Sequence, residues 1–540
     1  MNVPQPKKTS FDYIILGAGP ASLQLAYFLQ QAGRDYLVLE QGETPGSFFR
    51  KFPRHRTLIS INKIHTGYDD PEIRLRWDWN SLLSEGGPLL KDYSENYFPA
   101  ADDLVRYLDD FARTFDLNVR CHSQAVQISR KGTFQILDNH GTAWSANRLI
   151  VATGLSQPYL PPIPGIELAA SYNEVSVNPK DFIGKRVLII GKGNSGFETA
   201  ENLIPTAASI HIASPHPVQF AWRTHFVGHL RAVNNNLLDT YQLKSQNASI
   251  DATIDGIERR DDGKLAVSFS YTHANGEREV LVYDHVIACT GFRFDTSIFD
   301  ASCRPALVIN ERLPEQTSAW ESANIPGLYF AGVLMQTRDY KKTTSAFIHG
   351  FRYNVRSLYR ILEQRYHGVE WPHRPLAATP ESLTAAVLDR VNVTSALWQQ
   401  FGFLCDLILL ADGGEARYLE ELPMDFVRDS DWGTVRTWFT VTLEYGAEHL
   451  FQDPFAAERI ARDDVSRAAQ SNFLHPVVRR FDEGELTAEH HVIEDLAAEW
   501  REPEHIEPLL QFFREQLDPS SHGAPPGQAR SMPAAVEARG

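Results

Sequence analysis

Two short stretches of this chain carry residues whose types and spacing suit the binding of a dinucleotide: Gly17-Ala-Gly19-Pro20-Ala21-Ser22 and Gly191-Lys-Gly193-Asn194-Ser195-Gly196. In a G-x-G-x-x-G turn the first glycine bends the chain, the second lets the backbone approach a pyrophosphate, and the third allows a helix to pack closely on a strand. The helix N-terminus that follows offers free N–H groups and the positive end of its dipole to the phosphates. Ser22, in the third position of the first loop, is small enough to keep that packing. Glu40 ends the next strand, where a carboxylate accepts hydrogen bonds from ribose hydroxyls and repels a 2′-phosphate, so the first site is expected to hold FAD or NAD. The second loop is followed by a strand ending in Ser214-Pro-His216, with no acid there, which tilts that site towards NADPH, with NADH as the alternative. No arginine for a 2′-phosphate stands at 214–217, so Lys192, His216 or Arg223 would take its place. One glycine-rich turn alone is more often just a turn; two, each in strand–helix context, imply two nucleotides and hydride passing from a nicotinamide to a flavin.

These loops need elements to hold them. Phe11 to Leu16 (FDYIIL) is a β-prone run leading into the first loop, LQLAYFLQQAG follows as a helix, and Asp35 to Glu40 (DYLVLE) reads as a second buried strand. The grammar repeats in Arg186 to Ile190 (RVLII), the second loop, FETAENLI and SIHIAS. Between the two units lie a helix from Ala101 to Phe115, antiparallel strands near 118–147, and Leu149 to Gly154 (LIVATG); Val286 to Gly291 (VIACTG) and Gly327 to Gly332 are further strands running into glycine turns. Thr153, Gly154, Gly291 and Gly332 at these strand ends join the expected cofactor-binding residues, as do Gln41 beside Glu40 and Val126 in the antiparallel segment.

This order predicts an α/β fold with two Rossmann-like dinucleotide-binding domains, the second inserted in the first. The FAD-binding domain is expected over residues 1–164 and 296–369, and the NAD(P)H-binding domain over 165–295. Residues 370–518 show helical periods and aromatic-aliphatic clusters (FGFLCDLILLA, DWGTVRTWFTVTLEY), and a mainly helical C-terminal region without a motif is expected there. Residues 519–540 are rich in Pro, Gly, Ser and Ala and are expected to form a disordered tail.

Composition narrows the partners. The chain has 540 residues, 43% of them apolar, which allows several full cores. A formal charge of -16 repels phosphate backbones and anionic membranes, so neither nucleic acid nor a membrane is expected as a partner. The 4 cysteines, Cys121, Cys289, Cys303 and Cys405, form neither a C-x-x-C redox pair nor a metal-ligand spacing, and no metal site is expected. The N-terminus shows no apolar signal region, and the expected location is cytoplasmic.

Together GAGPASLQLAYFL, Glu40, the ATG turn at Ala152 to Gly154, GKGNSGFETAENL and the turn at Cys289 to Gly291 resemble the class B flavin-dependent monooxygenases among the two-dinucleotide flavoproteins. The chain is more similar still to the FAD-dependent oxidoreductase domain-containing protein 2 family, through Phe52 to Gly67 (FPRHRTLISINKIHTG), WDWNSLL, NNLLDTYQLKS, FIHGFRYNVR and SNFLHPV. The monooxygenase resemblance implies that NADPH reduces FAD, that oxygen adds at the flavin C4a carbon, and that the resulting peroxide passes one oxygen to an amine, amino-acid nitrogen or sulfur of a small molecule. It also implies that Asn62, in the L-x-x-x-N stretch Leu58 to Asn62, sits beside the flavin as the catalytic amide. Gly46-Ser47-Phe48-Phe49 resembles a G-x-x-W loop packing near the flavin ring, with Phe49 in place of tryptophan. The bland reading of Asn62 is a turn residue bonding its own backbone.

The residues leave further choices open. Arg50, Lys51, Arg54, His55, Arg56 and Lys63 form a basic stretch that is either a solvated face or a guide for an anionic ligand; Trp77 and Trp79 are either core or cavity lining. The F-x-G-x-x-x-H signature of Baeyer–Villiger enzymes is absent, with Ile163, Gly165 and Ala169 at its positions. Two other functions compete with monooxygenation: an NAD(P)H-dependent reductase or oxidase without oxygen insertion, and a flavin-bound interaction protein without catalysis. The partners expected are a small-molecule substrate and O2, with the aromatic C-terminal segment as a lid or a homo-oligomer interface.

Overall fold

The computed structural model describes residues 8–242, 247–411, 413–446, 453 and 455–518. The tail expected at 519–540 lies outside them. The chain divides into two compact units, one over Met1–Trp371, Trp398–Phe403 and Glu448–Ala457, the other over Pro372–Leu397, Leu404–Ala447 and Glu458–Gly540.

In the first unit, β1 (Ser10–Leu16) pairs in parallel with β2 (Tyr36–Leu39) on one side and β6 (Ala143–Val151) on the other. Its apolar run is continuous because both faces are covered; Tyr13, Ile14 and Ile15 have no exposed surface. β3 (Val119–Arg120) lies beyond β2, while β5 (Thr133–Asp138) and β4 (Ala125–Lys131) continue the sheet antiparallel beyond β6. The helix Ala101–Thr114 buries Leu104, Tyr107, Leu108 and Phe111 on one face, and Asp102 and Asp103 in its first turn favour the positive end of its dipole.

From β6 the chain leaves through β7 (Gln157–Pro158) into a second sheet of β8 (Ala170–Ser171), β9 (Arg186–Ile190), β10 (Ser209–Ser214), β11 (Ala248–Arg259), β12 (Leu265–Tyr271), β13 (Arg278–Tyr283) and β14 (His285–Ala288), ordered β13-β12-β11-β10-β9-β14-β8. It returns through β15 (Phe292–Arg293), which pairs antiparallel with β7. After the small β16 (Leu307–Val308) and β17 (Leu313–Pro314) pair, β18 (Leu328–Phe330) joins the first sheet in parallel with β6. In both sheets the strand feeding a glycine loop, β1 or β9, has parallel partners on both sides, and the crevice beyond its C-terminal end is where an open α/β sheet takes its ligand.

The second unit corrects the expectation of a mainly helical C-terminal region. It is built on a six-stranded antiparallel sheet of β19 (His373–Ala377), β20 (Leu404–Ala411), β21 (Glu415–Pro423), β22 (Thr437–Glu444), β23 (His475–Asp482) and β24 (Glu485–His491), ordered β19-β21-β20-β22-β23-β24. The helices Pro380–Val393 and Pro503–Leu517 pack on each other. LCDLILLA of the first cluster and TWFTVTLE of the second are β20 and β22, whose central residues are buried on both faces, so they show no alternation and cannot be told from buried helix by period. Asp406 interrupts the apolar run of β20 and is held by Arg390 of the helix Pro380–Val393, at 3.0 Å, and by the Tyr418 hydroxyl at 3.1 Å. Burial pushes this carboxyl up and the Arg390 charge opposes the rise.

Candidate functional site

At the first loop, Gly17 has φ +88°, and a Cβ there would come within 2.9 Å of the Ala152 carbonyl oxygen. Glycine is thus required by conformation and by the close approach of the turn after β6. Gly19 is the extended N-cap of the helix Pro20–Gln31, and a Cβ on it would meet nothing within 4 Å, so the N-cap backbone is open to a ligand. Pro20 at the first helical position lacks an N–H that would have no intrahelical partner. Gly332, with φ +74°, follows β18, and a Cβ on it would lie 2.9 Å from the Ala21 methyl. The ends of β1, β6 and β18 therefore bring Gly17, Gly19, Ala21, Thr153, Gly154 and Gly332 to one edge of the sheet.

Glu40 is buried there with its carboxylate already bonded: Oε2 accepts from the Ala18 N–H at 2.6 Å, and Oε1 from the Gly42 N–H and the Ser47 hydroxyl, both at 2.7 Å. A carboxylate has about four acceptor directions, which leaves about one for a ribose hydroxyl and not two. Ser22 is buried and its hydroxyl has no hydrogen-bond partner among the described residues. Gln41 is exposed, and Phe48 and Phe49 meet edge-to-face 5.3 Å apart with Phe48 at the surface. Val126 is exposed at the bulge between β4 and β5, three residues after Ser123, whose N–H donates to the Glu40 carbonyl at 2.8 Å. An open helix N-cap, a buried acid with a free acceptor direction and an orphaned buried hydroxyl fit the pyrophosphate and ribose of FAD.

The second loop has the same skeleton. Gly191 has φ +110°, and a Cβ there would sit 2.3 Å from the Cys289 carbonyl oxygen. Gly193 caps the helix Asn194–Leu203 with open space around it, and a Cβ on Gly196 would strike the Gly191 carbonyl oxygen at 2.3 Å. Ser195 lines a cleft with Tyr172, Thr290 and Gly291 beyond the strand ends. The Asn194 side chain is taken up internally, accepting from the Arg231 N–H at 3.0 Å and donating to the His229 carbonyl at 2.8 Å. Open N-cap and cleft fit a pyridine dinucleotide.

The strand end after this loop differs from the sequence expectation. Ser214 turns its hydroxyl onto the His216 carbonyl at 2.9 Å, and its partner across the ladder is Asp251 of β11. The Asp251 carboxylate pairs with Lys192, whose ammonium also donates to the His216 carbonyl at 3.2 Å. An acid is therefore present beside this strand end, and it occupies the lysine expected to serve a 2′-phosphate. Burial lowers the Lys192 pKa, and the Asp251 contact works against that.

Asn62 is buried and donates its amide to the Ser94 carbonyl at 2.7 Å, while its backbone N–H donates to the Tyr97 carbonyl at 2.8 Å and its backbone bridges to Asp78. It bonds a neighbouring strap, not its own turn. The basic stretch is mostly structural: the Arg54 guanidinium caps the Tyr172, Asn173 and Val175 carbonyls, Arg56 pairs with Asp102 at 2.6 Å, and burial lowers His55 to about 4. Gly165 has φ +80° and lies against the Ile257 backbone, so its glycine reflects packing. Trp77 stacks on Tyr68 at 5.5 Å, whereas Trp79 stacks on His349 at 4.2 Å with the Arg231 guanidinium over its ring at 4.9 Å. Sequence reading missed Arg231 and His349, since neither belongs to a spaced motif. Among the described residues no group of three or more His, Cys, Asp or Glu could hold a metal, and no helix is long and apolar enough to cross a membrane.

Two mixed sheets in one chain, each with a parallel core whose central strand ends in a glycine loop beneath a helix N-terminus, define a two-dinucleotide flavoprotein oxidoreductase. A family model described as pyridine nucleotide-disulphide oxidoreductase matches residues 14–332. The chain is 40% identical to FAD-dependent oxidoreductase domain-containing protein 2 of Mus musculus over 561 residues, covering 94% of this chain and 84% of that protein. A probable indole-3-pyruvate monooxygenase of Arabidopsis thaliana is 30% identical over 215 residues, 38% of this chain and 46% of the plant protein. In fold, the bacillithiol disulfide reductase Bdr of Staphylococcus aureus superposes with a TM-score of 0.50 at 18% identity, over 66% of this chain and 100% of that one. The chain belongs to the FAD-dependent oxidoreductase domain-containing protein 2 family, within the pyridine nucleotide-disulphide oxidoreductases. It is an oxidoreductase with FAD and a pyridine nucleotide as cofactors.

Proposed function

We propose that the protein is a monooxygenase that consumes NAD(P)H and inserts one oxygen atom of O2 into a nitrogen or sulfur of a small molecule. The observation that carries this reading is the isolation of all four cysteines despite the disulphide in the family's description. All are free, Cys289, Cys303 and Cys405 are buried, and burial pushes the thiols of Cys121 and Cys289 up to about 11 and about 12. Without a thiolate pair, electrons reaching the flavin have no disulphide of this chain to leave by, and an acceptor outside the chain takes them. The partial likeness to a plant monooxygenase and the L-x-x-x-N stretch support oxygen as that acceptor.

Bound FAD supplies hydride acceptance and oxygen activation. The chain's own residues bind and orient. Gly17, Gly19 and the N-terminus of Pro20–Gln31 hold the FAD pyrophosphate, Glu40 takes a ribose hydroxyl, and Gln41, Ser47 to Phe49, Val126, Thr153, Gly154 and Gly332 complete the pocket. Gly191, Gly193, Ser195, Gly196, Ser214 and Gly291 hold the nicotinamide nucleotide. Asn62 presents a neutral amide, able to hydrogen-bond the reacting centre without giving it a proton. The neutral Lys192–Asp251 pair gives weak discrimination, so NADPH and NADH both reduce the flavin.

The test supplies purified protein with 18O2 and a panel of amines, amino acids and thioethers. One 18O atom in product for each nucleotide consumed is expected. Complete conversion of the reducing equivalents to hydrogen peroxide with every substrate would replace this reading with an oxidase.

A further inference from the structure

Three segments far apart in sequence meet at Trp79. Its indole stacks on His349 at 4.2 Å and 22°, and the Arg231 guanidinium lies over it at 4.9 Å. His349 stacks in turn against Phe347, which meets Phe226 at 6.0 Å. His349 is 1% exposed, and neither ring nitrogen has a hydrogen-bond partner among the described residues. Arg231 is half-buried, and among the described residues its guanidinium makes no ion pair. An acidic protein leaves few half-buried guanidiniums uncompensated, because the desolvation of the charge is not offset.

The Arg231 guanidinium sits over the Trp79 ring at 4.9 Å, and among the described residues the N–H groups along its edge make no hydrogen bond. That edge is the part of arginine that grips a carboxylate with two parallel hydrogen bonds. Burial, with the charges of Arg352 and Arg231, holds His349 well below its usual range, so the imidazole is neutral and offers one donor and one acceptor. The cluster adjoins Asn62: Trp79 donates its backbone N–H to the Ile61 carbonyl, and Asp78 bridges to Asn62. Arg352 fixes this segment by donating to the Asp78 and Ser81 carbonyls at 2.9 and 2.7 Å.

Resting on the monooxygenase reading, we infer that the substrate carries a carboxylate, gripped by the edge of Arg231, with an apolar or aromatic body lying against the half-buried Trp79 and Phe347, which the buried His349 holds apart. The rival occupant is a nucleotide phosphate, since the Arg231 N–H is tied to Asn194 at the second loop.

Calorimetry on the FAD-loaded protein with phenylacetate and its neutral isostere phenylacetamide decides between them. Phenylacetate is expected to bind at least about tenfold more tightly, the usual worth of hydrogen bonds to a charged group. Arg231→Gln is expected to abolish the preference and Arg231→Lys to keep part of it. Equal binding of the two probes, no measurable binding of phenylacetate, or an unchanged preference in Arg231→Gln overturns the inference; so does an Arg231→Gln variant that weakens NADH and NADPH binding alone. Binding needs no turnover, so a failed oxygen-insertion test leaves this result standing, and the reverse also holds.

Discussion

The two glycine loops of the first unit solve one problem with opposite placements of charge. Matching Gly17 with Gly191 sets Ala18 against Lys192, Ser22 against Gly196, Gln24 against Glu198 and Glu40 against Ser214. In the first site the acid stands at the end of β2 and draws the Ala18 N–H onto itself. In the second the acid is Asp251 on the flanking β11, and a lysine side chain replaces the backbone N–H as its partner. The helix positions differ too: the Gln24 amide exchanges two hydrogen bonds with the Leu83 backbone at 2.8 and 2.6 Å, while Glu198 is a buried acid accepting from the Tyr172 hydroxyl. A common backbone therefore leaves ligand choice to a few side chains, some from outside the motif.

Exchanging residues between the loops breaks the comparison in graded steps. The largest effect is expected from Gly196→Ser, which copies Ser22 into the second loop. Its Cβ would overlap the Gly191 carbonyl oxygen at 2.3 Å, so the loop must move. Flavin reduction by either nucleotide should fall on the order of 100-fold with FAD still bound, as stopped-flow absorbance would show, since small displacements at a binding backbone have large effects on positioning. An unchanged reduction rate would mean that the loop does not hold the nucleotide.

Next comes Glu198→Gln, which copies Gln24. Burial raises Glu198 from 4.5 to about 7. A carboxyl raised on folding binds more protons in the native state between these values, so its contribution to stability falls as pH rises from about 4.5 to 7 and is most unfavourable above 7. The glutamine variant should be more stable than the parent at pH 8, by on the order of 3 kcal/mol, with the gap closing towards pH 4.5, in thermal melts across that range. Parallel pH profiles for the two proteins would refute this.

Asp251→Asn should have a smaller effect. Releasing Lys192 from its carboxylate is expected to raise the ratio of NADPH to NADH affinity about tenfold, read by equilibrium titration. No change in the ratio would remove this pair from nucleotide choice. Smallest is Ser22→Gly, the reverse exchange, which removes a buried hydroxyl that has no partner among the described residues and should alter stability by less than about 1 kcal/mol in the same melts.

What the sequence made legible follows from locality. Gly17, Gly191, Gly332 and the strand end at Glu40 are visible because their demands, a positive φ or a fixed offset along one βαβ unit, are met within a few tens of residues. Asp251 was hidden because it reaches the second site across the β10–β11 ladder, and Arg231 and His349 because three segments build their stack. The second unit was misread for another reason: β20 and β22 are buried on both faces, and Arg390 compensates Asp406 from a helix, so neither run shows a strand's alternation.

The pairing of β7 with β15 places the points where the chain enters and leaves the second sheet side by side, Pro158 opposite Phe292 and Gln157 opposite Arg293. Cut there, the intervening segment comes away as a cassette, and a short turn would rejoin the ends it leaves behind. A nucleotide module of different preference could be grafted through that single doorway while β1, β6 and β18 keep their register, which gives such a flavoprotein a simple route to a new electron donor.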